Sequence, residues 1–74
     1  MSLAGGEKVE ILLNGQKETI SENTTLLNFL TSNGLNPDTI VVEYNLNVLK
    51  NEEWSNTILK ENDNLEVLSF VGGG

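Results

Sequence analysis

Neither cysteine nor histidine occurs in this chain of 74 residues. Without cysteine there is no disulfide framework and no thiolate to hold a metal. Without histidine the usual general base near neutral pH and the commonest metal ligand are missing too. That composition argues against an enzyme working alone, and no metal site is expected. Positive charge is also scarce: 4 basic residues stand against 11 acidic ones, a net charge of -7. Phosphate backbones would be repelled, so nucleic acid is not an expected partner. Most of these carboxylates read as a solvated surface, which leaves a basic protein partner compatible. No apolar run approaches the roughly 20 residues of a membrane span. The opening "MSLAGGEK" lacks the basic and long apolar regions of a secretory signal. A cytoplasmic protein is therefore expected, with residues 1–6 a disordered leader in which "MSL" reads as a cloning remnant. A single domain is expected, and a chain this short buries only about 60% of its unfolded surface.

What is present is short-range pattern. In "KVEILLNGQKETI" two β-like runs flank Asn14-Gly15, a strong hairpin signal. Val9, Ile11 and Leu13 share one face of the first run, with Lys8, Glu10 and Leu12 on the other. The second run, from about Gln16 to Ile20, is shorter and more polar. The period then changes. Leu26, Phe29 and Leu30 form a helical stripe, with Thr24 or Thr25 as N-cap and Gly34 as the stop. Asn36-Pro37-Asp38 reads as a loop, and "TIVVEYN" as a strand with Ile40, Val42 and Tyr44 on one face. "LNVLKNEEWSNTILKENDN" reads as short extended pieces broken by turn formers. "LEVLSFV" is the clearest strand, with Leu65, Val67 and Val71 on one side. One helix can bury its stripe only against one face of one sheet. The expected fold class is α+β: a mixed sheet of about four or five strands with one main helix, the β-grasp pattern. Residues 7–71 would form that domain and 72–74 a flexible glycine tail.

Glycine has the most backbone freedom to lose, so a closing "GGG" needs a use. On composition alone it also fits a frayed end or an engineering scar. Three stretches favour a use. "ILLNGQ", "YNLNVLKNEEW" and "NDNLEVLSFVGGG" together resemble the thiamine-biosynthesis sulfur carrier (ThiS) family, ubiquitin-like β-grasp proteins, over about Val9 to Gly74. The family's asparagine, valine and tryptophan pattern is carried here by Asn45, Val48 and Trp54. Where the family often has Pro-Arg, this chain has Lys50-Asn51.

The resemblance implies that the C-terminal carboxylate of Gly74 is the reactive group. A partner adenylyltransferase related to ubiquitin-activating enzymes (ThiF-like) would supply ATP and Mg and make an acyl adenylate. A persulfide donor would convert it to a thiocarboxylate, and thiazole synthase (ThiG-like) would receive the sulfur. The carrier itself would bind no cofactor and perform no catalysis. Gly72, Gly73 and Gly74 reach about 10 Å when extended, and without Cβ atoms they pass a narrow channel. The internal Gly5-Gly6 pair lacks a free carboxylate. If the first and last strands are neighbours, as in β-grasp folds, Leu12, Leu68 and Phe70 lie on the face away from the helix. They form either a partner-binding patch or three scattered surface apolars. Trp54 is expected to cover the core edge with its indole N–H satisfied. Two other readings stand beside it: from the same fold, a molybdopterin-synthase small subunit (MoaD-like) or another sulfur carrier; from another class, a ubiquitin-like modifier conjugated to lysines or a plain binding module.

Overall fold

In the computed structural model, residues 7–70 are described; residues 1–6 and 71–74, including the expected leader, Val71 and the glycine tail, lie outside them. The chain opens with a hairpin of β1 (Lys8–Leu13) and β2 (Gln16–Ser21), paired antiparallel with Leu13 opposite Gln16. Asn14 and Gly15 both have positive φ, 51° and 85°. This is the tight turn whose twist matches that of two flanking strands.

Helix α1 (Leu26–Ser32) starts at Thr25, whose hydroxyl accepts from the Asn28 amide at 3.1 Å. It ends with Gly34 at φ 79°, where the Gly34 amide donates to the Thr31 carbonyl and that of Leu35 to Leu30. That pair of bonds is the Schellman arrangement, which satisfies the last carbonyls of a helix. Asn36-Pro37-Asp38 differs from the expected loop: Pro37–Thr39 is a 3-10 turn, and the Asn36 side chain accepts from the Asp38 amide at 2.9 Å.

Next come β3 (Ile40–Tyr44) and β4 (Asn47–Leu49), antiparallel, then β5 (Asn64–Ser69). Between β4 and β5 the structure again departs from the expected extended pieces. Asn51–Asn56 is a 3-10 helix. Trp54 accounts for it, because its ring is buried in the core and its indole N–H donates to the Leu49 carbonyl at 3.0 Å. The following segment returns along the start of α1: Leu26 N–H donates to Thr57, and Leu59 N–H to Thr24.

The sheet order is β2-β1-β5-β3-β4, with β5 parallel to β1 and antiparallel to β3. Helix α1 covers one face. Ile11, Val42 and Leu65 meet Leu26, Phe29 and Leu30 there, joined by Ile40, Trp54 and Leu59 in one cluster. Each such side chain contributes roughly 1.5–3 kcal/mol on full burial.

A polar hub fixes where β5 begins. Asp63 is buried and accepts from the Tyr44 hydroxyl (2.8 Å), the Asn45 side-chain amide (3.1 Å) and the Lys60 backbone amide (2.8 Å). Asn45 also accepts from the Asn64 amide at 2.8 Å, and its own N–H donates to the Asn64 carbonyl. Burial first, then the hydrogen bond and negative charge of Asp63, push the Tyr44 hydroxyl up to about 12. This folded value lies above the ordinary 10.0, so its contribution is complete below pH 10 and fades as pH rises through about 12. Thermal melts across that window should show wild type losing stability faster than Tyr44→Phe. Parallel pH profiles of the two proteins would contradict this.

The β3–β4 turn departs from usual turn chemistry. Asn45 and Leu46 have φ of 51° and 76°, and Leu46 is 81% exposed. A side chain there pays the left-handed penalty, about 1–2 kcal/mol, and recovers little by packing. Leu46→Gly should therefore raise stability by about 0.5–1 kcal/mol once the added unfolded-state entropy of glycine is subtracted. For a domain of this size each kcal/mol moves the melting temperature about 4–8 °C, so an unchanged or lower melt would contradict the strain.

Candidate functional site: the end of β5 and the open sheet face

Side chains alternate along β5. Leu65 points into the core and Val67 packs against it, while Glu66, Leu68 and Phe70 point away from α1. Pairing with β3 continues to the last described residue, where the Phe70 amide donates to the Thr39 carbonyl at 2.9 Å. The other edge of β5 is held differently. β1 ends at Leu13, opposite Leu65, and there the Asn14 backbone amide donates to the Leu65 carbonyl. The Asn14 side chain then takes the place of a strand: its Oδ1 accepts from the Val67 amide at 2.8 Å, and its amide donates to the Val67 carbonyl at 3.4 Å. β5 is thus gripped on both sides to Val67 and on one side to Phe70, directly before residues 71–74.

Of the three residues expected on the open face, the structure brings two together. Leu68 (64% exposed) is near the end of β5, and Phe70 (48% exposed) follows two residues on, just past the strand, where its amide still bonds Thr39. Leu12 is on the same face but sits opposite Asn64, four residues from Leu68. At about 3.3 Å per residue that is roughly 13 Å, and Leu12 is half-buried. Val41, 38% exposed, is the direct cross-strand partner of Leu68 and completes the apolar patch. Sequence reasoning missed Val41 because "IVV" shows which residues alternate but not which strand lies beside them. Gly72, Gly73 and Gly74 fall outside the described residues.

Elsewhere, a shallow cleft between β2 and the C-terminal end of α1 is lined by Glu18, Thr24, Phe29 and Asn33, among others. It brings no second titratable group to Glu18. Among the described residues no helix is long and apolar enough to cross a membrane.

A five-stranded mixed sheet grasping one helix is the β-grasp, ubiquitin-like arrangement. The sequence matches the ThiS family over residues 3–74, and the chain belongs to that family. Its structure superposes on the crystal structure of the thiamine biosynthesis protein ThiS from Geobacter metallireducens with a TM-score of 0.77 and 29% identity, covering 89% of this chain and 100% of that one. It is also similar to a thiazole synthase of Magnetococcus marinus, 35% identical over 66 residues, and to one of Paramagnetospirillum magneticum, 26% identical over 66 residues. Those matches cover 89% of this chain but only 20% of either synthase.

Proposed function

We propose that this protein is a sulfur carrier for thiazole formation in thiamine biosynthesis, acting through the carboxylate of Gly74. The observation that carries the reading is membership of the ThiS family together with a β5 held in the sheet up to Phe70, four residues before Gly74. A carboxylate is a poor electrophile, so a partner adenylyltransferase would first activate it. The carboxylate oxygen attacks the α-phosphorus of Mg-bound ATP, pyrophosphate leaves, and an acyl adenylate forms. The terminal sulfur of a persulfide then attacks the acyl carbon and AMP departs, giving an acyl disulfide. A second thiol cleaves the S–S bond, is itself oxidised to a disulfide, and leaves the thiocarboxylate. In this scheme the acid, base and metal belong to the partners, and the carrier presents an electrophile on a tether. Alternation of Leu68 and Phe70 away from the core gives those partners an apolar hold beside the tether's root.

The recipient favoured is thiazole synthase, because stretches similar to this whole domain form part of proteins bearing that name. That similarity supports thiazole formation over a molybdopterin or lysine-conjugation role. The test is the intact mass of the protein after incubation with the organism's adenylating enzyme, ATP, Mg and a persulfide source. A gain equal to sulfur minus oxygen, dependent on ATP, supports the reading. No gain, or isopeptide-linked products instead, would overturn it.

A further inference from the structure

We propose that the sheet face opposite α1 docks a protein whose surface places a lysine or arginine beside an apolar pocket, the cation seated between Glu43 and Glu66. The proposal deepens the carrier reading and rests on it only for the choice of probe.

Glu43 on β3 stands directly opposite Glu66 on β5. Side chains in such a pair have Cβ atoms about 4.5–5.5 Å apart, and like charges so placed destabilise a sheet. Lys50, which follows the end of β4, approaches Glu43 only on a diagonal, and no direct neighbour relieves the pair. Across β4 from Glu43 is Val48; one step along are Val41 and Leu68; one step back on β5 is Asn64. No cation stands among these four positions, although either carboxylate could have been an uncharged strand former at no loss to the core behind it. Local rules broken on a surface point to function rather than folding.

The carboxylates abut the apolar row of Val41, Leu68 and Phe70. A partner covering that row excludes water from the pair's flank, which strengthens attraction to a cation and the repulsion between the two carboxylates alike. An arginine or lysine in the covering surface resolves the conflict, and a guanidinium matches carboxylate oxygens with two parallel N–H bonds. A second copy of this chain does not fit. Face to face, two copies would oppose four carboxylates, and a net charge of -7 repels its own kind. Anionic lipid and nucleic acid fail for the same reason.

The experiment measures the dissociation constant of the full chain for the organism's purified adenylating enzyme and thiazole synthase across a salt series, beside thermal melts. Wild type, the double variant Glu43→Gln/Glu66→Gln, Glu66→Lys and Phe70→Ala are compared. The double variant should melt higher than wild type yet bind at least one enzyme tenfold or more weakly at low salt, with a flatter salt dependence. Glu66→Lys, which gives Glu43 an opposite charge on its own sheet, should also melt higher and bind more weakly still. Phe70→Ala should weaken binding and keep the wild-type salt dependence. Wild-type affinity and salt dependence in the double variant would overturn the proposal, even with a defect in Phe70→Ala. So would failure of wild type to bind either enzyme, or a wild-type dimer tightened by the glutamine substitutions. Binding as expected without thiocarboxylate formation would overturn the carrier reading and leave the docking surface standing. Thiocarboxylate formation with binding indifferent to both glutamates would do the reverse.

Discussion

Removing Gly74, or adding one residue after it, should abolish conversion to the thiocarboxylate while leaving the melting temperature unchanged. Each extended residue spans about 3.3–3.6 Å, so either change moves the carboxyl carbon by that distance when the globule is docked. In a preorganised site a misplacement of about 1 Å can cost 10²-fold in rate, and this displacement is threefold larger. A glycine carries no side chain to bury, so its loss or addition takes nothing from the cluster of Ile11, Leu30 and Leu65. Mass spectrometry reads both arms, since it reports the oxygen-to-sulfur exchange and whether an added residue is still attached. Normal turnover by a chain still carrying its extension would remove Gly74 from the chemistry.

Leu30→Ala carries the largest expected effect on stability. Leu30 is fully buried between α1 and the sheet, in the same cluster as Ile11, Val42 and Leu65. Truncation of a buried leucine costs roughly 2–5 kcal/mol through lost transfer energy and the cavity left behind. At roughly 0.05–0.15 kcal/mol per residue, that loss is a large part of what holds a domain this small together. The melting temperature should fall by about 10 °C or more. Helical propensity is not at issue, because alanine is the best helix former. An unchanged melt would place Leu30 outside the core and α1 on the wrong face.

Much of this fold was legible because its signals are local. Asn14-Gly15 names its own turn, and Thr25 and Gly34 bracket α1 by bonds that reach three to five residues. Strand parity likewise turned Leu68 and Phe70 outward from Leu65 without knowledge of any neighbour. What was not legible depends on partners far along the chain. Asp63 reads as one more turn former in "ENDN", yet its hub is made with Tyr44 and Asn45, 19 and 18 residues earlier. Val41 joins the patch only because Leu68 lies beside it across the sheet. The 3-10 helix at Asn51–Asn56 follows from Trp54 being drawn into the core, while the residues around it read as breakers. Leu46 argues against its own turn by propensity, and the Asn45 bonds to Asp63 and Asn64 prevail over that preference.

The last of the described strands along the chain occupies the middle of the sheet, between β1 and β3. Until β5 emerges, the β1–β2 and β3–β4 hairpins share no ladder, and a lone two-stranded hairpin is marginal in water. Assembly therefore waits on closing β1 to β5, from Leu12 and Leu13 to Asn64 and Leu65. Such non-local pairing comes late and slows folding relative to local contacts. A ribosome-bound chain lacking β5 would hold helix and hairpins as separate, protease-sensitive pieces. Compactness is then reached only by molecules in which β5 has been made, so chains terminated before Asn64 would be sorted from longer ones by folding itself.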